Sequence, residues 1–231
     1  MSSTDQLAAA ASGFGRPKAA NDLALEFVLH AVRTGHLRAG DQVSPEVIAT
    51  QLQISHVPVR EAIRRLEGRG VLTHVPRKGN FVTELNLEDM ETLVVLGRLL
   101  ETEALERAVP LITDDQLERM QKTIALSRPL VGSDPIGIAA ASREFHGILL
   151  ERGVPRLLLR QLDLLWGSME AYRHLYYDEA VHQEATCVEH QAILDALTQR
   201  DVEKTVDVFN QHRTSINDAI TQLPPFADPQ S

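Results

Sequence analysis

The stretch Ser55-His56-Val57-Pro58-Val59-Arg60-Glu61-Ala62-Ile63-Arg64-Arg65-Leu66-Glu67 decides the fold. Val59, Ile63 and Leu66 recur at three- and four-residue steps, which predicts a helix with one apolar side. Ser55 stands where a helix cap belongs, and Gly68 and Gly70 break the pattern beyond Glu67. Arg60 and Arg64 are four apart and therefore share a helix face. A helix entering the DNA major groove presents its N-terminal residues to base edges, where Arg bonds guanine O6 and N7 together. The capped N-terminus itself attracts phosphate oxygens. On charge alone, the same segment reads equally as a solvated amphipathic helix with surface arginines.

The flanks narrow the choice. Upstream, Asn21 is placed to cap a helix carrying Ala24, Phe27, Val28, Ala31 and Val32 as an apolar stripe, with Gly35 ending it. After a turn at Gly40-Asp41, Ser44-Pro45 opens a second helix with Val47, Ile48 and Leu52 on its apolar side. Downstream, Val71–Val75, then Pro76-Arg77-Lys78-Gly79-Asn80, then Phe81–Thr83 read as strand, turn and strand. Three short helices followed by a hairpin make a winged helix-turn-helix. Arg77, Lys78 and the conformationally free Gly79 sit at the wing tip, where they reach the DNA backbone or minor groove.

The chain has 231 residues and a formal net charge of −9, which by itself argues against a nucleic-acid partner. Division after Thr83 reverses that inference. Residues 1–83 hold 10 Lys/Arg against 7 Asp/Glu, for +3; residues 84–231 hold 13 against 25, for −12. A basic front and an acidic rear suggest two modules with different partners. Cys187 is the only cysteine, which excludes an intrachain disulfide and a thiolate zinc cluster. No apolar run approaches the roughly 18–20 residues needed to span a bilayer, and the first residues lack the pattern of a signal peptide. A cytoplasmic protein without membrane partners is expected.

The expected division is a flexible arm over 1–19, the winged module over 20–83, an all-helical module over 84–223 and a loose tail over 224–231. The rear module shows no strand alternation. Asn86 caps a helix running to about Val109, and Thr113 with Gln116 forms a capping-box pattern. Further helices are expected near 114–128, 135–152, 155–176, 179–199 and 202–222. The fold class is thus mainly α: three helices with a β-hairpin wing, then an all-α bundle.

Residues 22–83 closely resemble the DNA-binding domain of the GntR family of bacterial transcription regulators. The resemblance rests on Gly35-His36-Leu37-Arg38-Ala39-Gly40-Asp41, Ile48-Ala49, Pro58-Val59-Arg60-Glu61-Ala62, Leu66-Glu67, Gly70-Val71-Leu72 and Arg77-Lys78-Gly79-Asn80-Phe81-Val82. It implies a DNA-contact set of Ser55, His56, Arg60, Arg64, Arg77, Lys78 and Gly79. The family usually has Arg where His56 stands, and His carries less charge near neutral pH.

Residues 84–231 resemble the all-helical FCD effector domain of the FadR-like branch, through Leu96–Glu101, Glu144-Phe145-His146, Glu189–Leu197 and His212. His146, His190 and His212 fall on three different helices. The resemblance makes them a ligand set for a divalent metal, zinc or nickel, to which imidazole is suited. Metal-binding members usually carry an acid one turn before the first His; here Ser142 stands there. Without a metal the same histidines could bond an anionic ligand directly, and each could also be a core histidine bonded to a neighbour. Arg98 either pairs with Glu101 or Glu103 on the helix surface or, by resemblance, points into the bundle and binds a carboxylate. Trp166, Tyr172, Tyr176 and Tyr177 line a cavity or a dimer face.

The resemblance implies a homodimer that reads a palindromic operator, in most members as a repressor, and senses a small carboxylate metabolite in the bundle. Two alternatives stand beside it. A hydrolase could use metal-bound water at the three histidines, although no matched general base is evident. An architectural DNA-binding protein would need no effector.

Overall fold

The computed structural model describes residues 19–222 and 226, apart from the His174 side chain. The expected arm and tail lie outside the described residues, save Ala19 and Phe226. In chain order the elements are α1 (Ala20–Arg33), β1 (Gln42–Val43), α2 (Pro45–Leu52), α3 (His56–Glu67), β2 (Leu72–Val75), β3 (Gly79–Val82) and α4 (Leu87–Ala108). There follow α5 (Asp114–Ser127), α6 (Pro135–Leu149), α7 (Arg156–Ser168), α8 (Glu170–Tyr177), α9 (Ala180–Thr198) and α10 (Val202–Thr221). Short 3-10 turns at Val109–Leu111 and Arg128–Leu130 follow α4 and α5. Two compact units divide at Leu85: among the described residues, the first takes in the chain up to Leu85 and also Asp163–Tyr172, the second the remainder.

In the first unit the stripe Ala24, Phe27, Val28, Ala31 and Val32 of α1 is buried against α3, whose Val59, Ala62, Ile63 and Leu66 are also buried. The apolar spacing of both helices is thereby satisfied in one core. The cap of α1 differs from expectation. Ala19 occupies the capping position, and the Asn21 side chain instead accepts from the Asp22 amide inside the first turn. Ser44 caps α2 by accepting from the Val47 amide at 3.3 Å, with Pro45 in the first turn where no amide hydrogen is required. Ser55 stands at the α3 cap but its hydroxyl bonds none of that helix's amides.

The wing is a three-stranded antiparallel sheet in the order β1-β3-β2, where a two-stranded hairpin is expected from the sequence. Val75 pairs with Gly79 and Leu72 with Val82, while Gln42 pairs with Phe81. The extra strand has only two residues, too few to show alternation, and follows directly on the Gly40-Asp41 turn. That turn is itself tied to the sheet, since the Gly40 amide donates to the Val82 carbonyl and the Val82 amide to that of Asp41.

Residues 163–172 complete this unit. The single helix expected over 155–176 is broken at Met169 into α7 and α8. Glu170, at the start of α8, is buried and pairs with Arg33 of α1 at 2.7 Å. The Tyr172 hydroxyl accepts from the Leu85 amide at 2.7 Å.

The second unit is helical. Asn86 and Asp89 form a reciprocal capping box at the start of α4, as Thr113 and Gln116 do at α5. α5 packs on α6 and α9, and α10 packs on α4 and α9. Met90, Leu105, Met120, Phe145, Ile193 and Leu197 lie in the buried core. A buried pair joins α4 to α10, with Arg213 Nη1 2.9 Å from Glu101 Oε2. No helix among the described residues is long and apolar enough to cross a membrane.

Candidate nucleic-acid interface and metal centre

Burial of Val59, Ala62, Ile63 and Leu66 turns the opposite face of α3 outward. Ser55, His56, Arg60 and Arg64 are exposed there. Arg65, by contrast, is held at 2.7 Å by Asp22 of α1. The wing tip places Arg77 and Lys78 in solvent, with Gly79 partly covered. A turn closed by the Lys78 amide on the Val75 carbonyl carries them, and Gln42 Nε2 donates to the Lys78 carbonyl at 2.9 Å, fixing the tip to β1. A groove of about 550 Å³ runs between α3 and the sheet, with Arg60 and Arg64 on one side and His74, Gly79 and Asn80 on the other. Glu46 also borders it. Its carboxyl is held below the ordinary range, first by a backbone amide and then by the Ser44 hydroxyl at 3.1 Å. The seven residues expected to meet DNA therefore lie on α3, its cap and the wing tip of a single unit.

The second unit holds a buried histidine cluster. His146 on α6, His190 on α9 and His212 on α10 each offer one ring nitrogen, and these atoms lie within 4.8 Å of one another. The rings are 2–8% exposed. His190 stacks on Phe145 with centroids 4.2 Å apart, and Phe209 packs edge-on to His146. Burial first, then the charges of His190, His212, Arg173 and Arg143, holds His146 well below its ordinary pKa. Burial first, then His212 and Arg173, does the same to His190. Both rings are therefore neutral at neutral pH, the form in which imidazole is a metal ligand.

Ser142, one turn before His146 on α6, is 1% exposed. Its hydroxyl, His146 Nδ1 and His190 Nε2 are buried without a hydrogen-bond partner. His212 is oriented differently: its Nδ1 lies 2.6 Å from Glu189 Oε2, which fixes the tautomer and leaves Nε2 as the lone-pair nitrogen. These residues fit a divalent ion. Three imidazoles whose ring nitrogens converge, with an unpartnered hydroxyl one turn before the first, are a donor set suited to such an ion. His146, His190 and His212 would hold the ion, and it would supply a positive centre to a ligand oxygen.

Arg98 does not join this cluster. The buried positions of α4 include Gly97, Glu101, Ala104, Leu105 and Ala108, and Arg98, about 100° round the helix from Gly97, is exposed. The expectation that it points into the bundle is corrected accordingly. Its expected surface partners are engaged elsewhere, Glu101 with Arg213 and Glu103 with Arg107. Other histidines have ordinary partners: His36 contacts Thr34, His74 contacts Asn80, and His182 faces the Tyr176 carbonyl. Tyr172, Tyr176 and Tyr177 are buried. Nothing in the spacing of Glu189 marks it as part of a site; only the folding of α9 against α10 does.

Residues 25–82 match the bacterial regulatory proteins of the gntR family, and residues 92–215 match the FCD domain. The chain belongs to the GntR family, with an FCD effector domain. This GntR-family chain is 20% identical to the transcriptional repressor RspR of Escherichia coli K12, over 80% of its own length and 81% of the relative's. It is 28% identical to the HTH-type regulator BphR of Paraburkholderia xenovorans, covering 82% and 80%. Among solved structures, E. coli McbR/YncC superposes with a TM-score of 0.78 at 21% identity, covering 89% of this chain and 99% of that one. A GntR regulator from Rhodococcus gives 0.70 at 21% identity, covering 87% and 96%. The GntR-family chain is a DNA-binding transcription regulator and not an enzyme. The fold class read from the sequence holds, with the third strand added.

Proposed function

We propose that this protein is a ligand-responsive repressor that binds a palindromic operator as a homodimer in the cytoplasm. Two copies of α3 would read two half-sites, because a twofold protein imposes twofold symmetry on its DNA. Ser55, His56, Arg60 and Arg64 would meet the major groove, and Arg77, Lys78 and Gly79 the adjacent backbone or minor groove. A small carboxylate metabolite, with or without zinc or nickel, would bind at Ser142, His146, His190 and His212. Its differential affinity for the DNA-competent and incompetent arrangements would set the fraction bound to the operator. The repressor assignment is supported by the name of RspR.

The observation carrying this reading is the exposed Arg60–Arg64 face beside a basic wing tip, in a chain that also buries three imidazoles around unpartnered polar atoms. Selection of bound genomic fragments supplies the operator, and gel shifts then test the surface. Arg60→Ala is expected to lose about 1–3 kcal/mol of discrimination between operator and scrambled DNA. Affinity and selectivity equal to wild type would sink the recognition-helix assignment.

A further inference from the structure

Val57, the second residue of α3, is 67% exposed. Among the described residues of the first unit the other exposed large apolar side chain is Leu164, and it lies against Gly70. A lone exposed apolar residue is ordinary on a protein surface, so the position of Val57 carries the argument. Helix formation does not select it. The apolar pair that steadies a helix start stands just before the cap and at the fourth helical position, here Ile54 and Val59. A β-branched residue at the second position loses rotamer freedom that Leu would keep.

Val57, Arg60, Glu61 and Arg64 stand at i, i+3, i+4 and i+7, so they share one face of α3, and all four are exposed. The opposite face is the buried Val59, Ala62, Ile63 and Leu66. Arg60 and Arg64 border the groove toward the sheet, and Val57 and Glu61 form the other edge of the face. That edge is unsuited to the DNA backbone. Valine offers a phosphate no hydrogen bond, and a phosphate repels the Glu61 carboxylate. Base edges suit both side chains. In the major groove cytosine and adenine present amino donors, and thymine presents its C5-methyl, the one apolar group there. Val57 lies in the first turn of the helix, the end that meets base edges.

We infer that Val57 reads a thymine of the operator by packing its methyl groups on the thymine C5-methyl, so that the first turn of α3 selects thymine against cytosine at that position. This rests on α3 being the recognition helix and assigns one of its base contacts. Glu61, on the same edge, keeps that edge turned toward base amino groups and away from phosphates.

Operator duplexes recovered by genomic selection test this when each thymidine is replaced in turn by deoxyuridine, which removes the methyl group and leaves base pairing intact. In gel shifts the wild type should bind about fourfold more weakly when one particular thymine loses its methyl, the factor that burial of one methyl-sized group supplies. Val57→Ser, which has neither methyl, should bind the thymine and uracil duplexes equally. Val57→Thr, which keeps one methyl, should fall between. Both variants alter an exposed side chain, so their melting temperatures should match the wild type. Wild-type affinity unchanged at every substituted thymine would overturn the inference, as would a selected operator without thymine. A uracil penalty undiminished in Val57→Ser would give the methyl to another side chain and overturn it equally. Arg60→Ala in the same assay separates this inference from the reading beneath it. Lost selectivity in that variant, with no uracil effect in the wild type, removes the Val57 contact alone; unchanged selectivity removes α3 as the reader.

Discussion

Arg77 holds a φ of 65°, a left-handed backbone that costs an L-residue about 1–2 kcal/mol. Such strain at an exposed tip is retained where the side chain is needed. Arg77→Gly separates the two roles. The variant is expected to keep or gain up to about 1 kcal/mol in denaturant unfolding, while losing DNA affinity uniformly across sequences. Its log–log salt slope should shrink by about one. A change in sequence preference instead would place Arg77 against bases. At this scale the sequence was most legible where one side chain has one face to occupy. Arg60, Arg64 and Lys78 are exposed as their spacing requires, and His146, His190 and His212 converge. Arg98 was left with two placements because a single position on a helix is a rotation of about 100°, and α4 has apolar residues on both sides of it, with Leu96 and Leu99 exposed.

The buried imidazoles also carry a pH signature. His146 and His190 are held well below the ordinary value of 6.5, chiefly by burial. Below pH 6.5 the unfolded chain takes up protons that the folded site refuses, so stability falls with acidity; above that pH both states are neutral and the contribution is flat. The melting temperature of the wild type should therefore fall as pH drops from 7 toward about 5. His146→Leu, which cannot titrate, should show a shallower decline over the same interval. Parallel curves for the two proteins would assign the lost protons to other groups.

Among the elements, glycines show how a correct local reading can miss its main cause. Gly70 reads from the sequence as a helix breaker, and its φ of 73° agrees. A Cβ there would also lie 2.5 Å from the Ser168 hydroxyl and 2.8 Å from the Leu164 carbonyl. Gly167 has no turn to make, since it lies inside α7, where Gly is ordinarily unfavourable. It is required because a Cβ would overlap the Arg69 carbonyl oxygen, which is backbone and cannot swing aside. Gly167→Ala gains helix propensity of about 1 kcal/mol yet should destabilise the protein by about 2 kcal/mol or more, read as a lower urea midpoint. A midpoint at or above wild type would mean that α7 does not approach Arg69 so closely. Neither this approach nor the two-residue strand β1 leaves a local signal, because both are contacts between segments far apart in the chain.

For the whole molecule, the net charge of −9 is an average over a +3 front and a −12 rear, and the break after Thr83 is legible in composition. What composition cannot reveal is that the DNA-reading unit is discontinuous. Residues 163–172 belong to it, contributing the Glu170 carboxylate to Arg33, the Tyr172 hydroxyl to the Leu85 amide and the α7 surface that covers Gly70. Glu170 is nearly fully buried while Arg33 is a quarter exposed, so this ion pair is partly shielded from solvent. Removing one partner of such a pair leaves the other without compensation. A fragment spanning residues 19–85 retains α1–α3 and the wing but loses all three contacts. It is therefore expected to unfold at a lower urea concentration than the DNA-reading unit does within the full chain, followed by amide exchange in α1 and α3. Glu170→Gln in the full chain should reproduce part of that loss, since it keeps the shape and removes the charge. A fragment as stable as the intact unit would show that the winged module closes its core without residues 163–172, and the discontinuous unit would then have no energetic meaning.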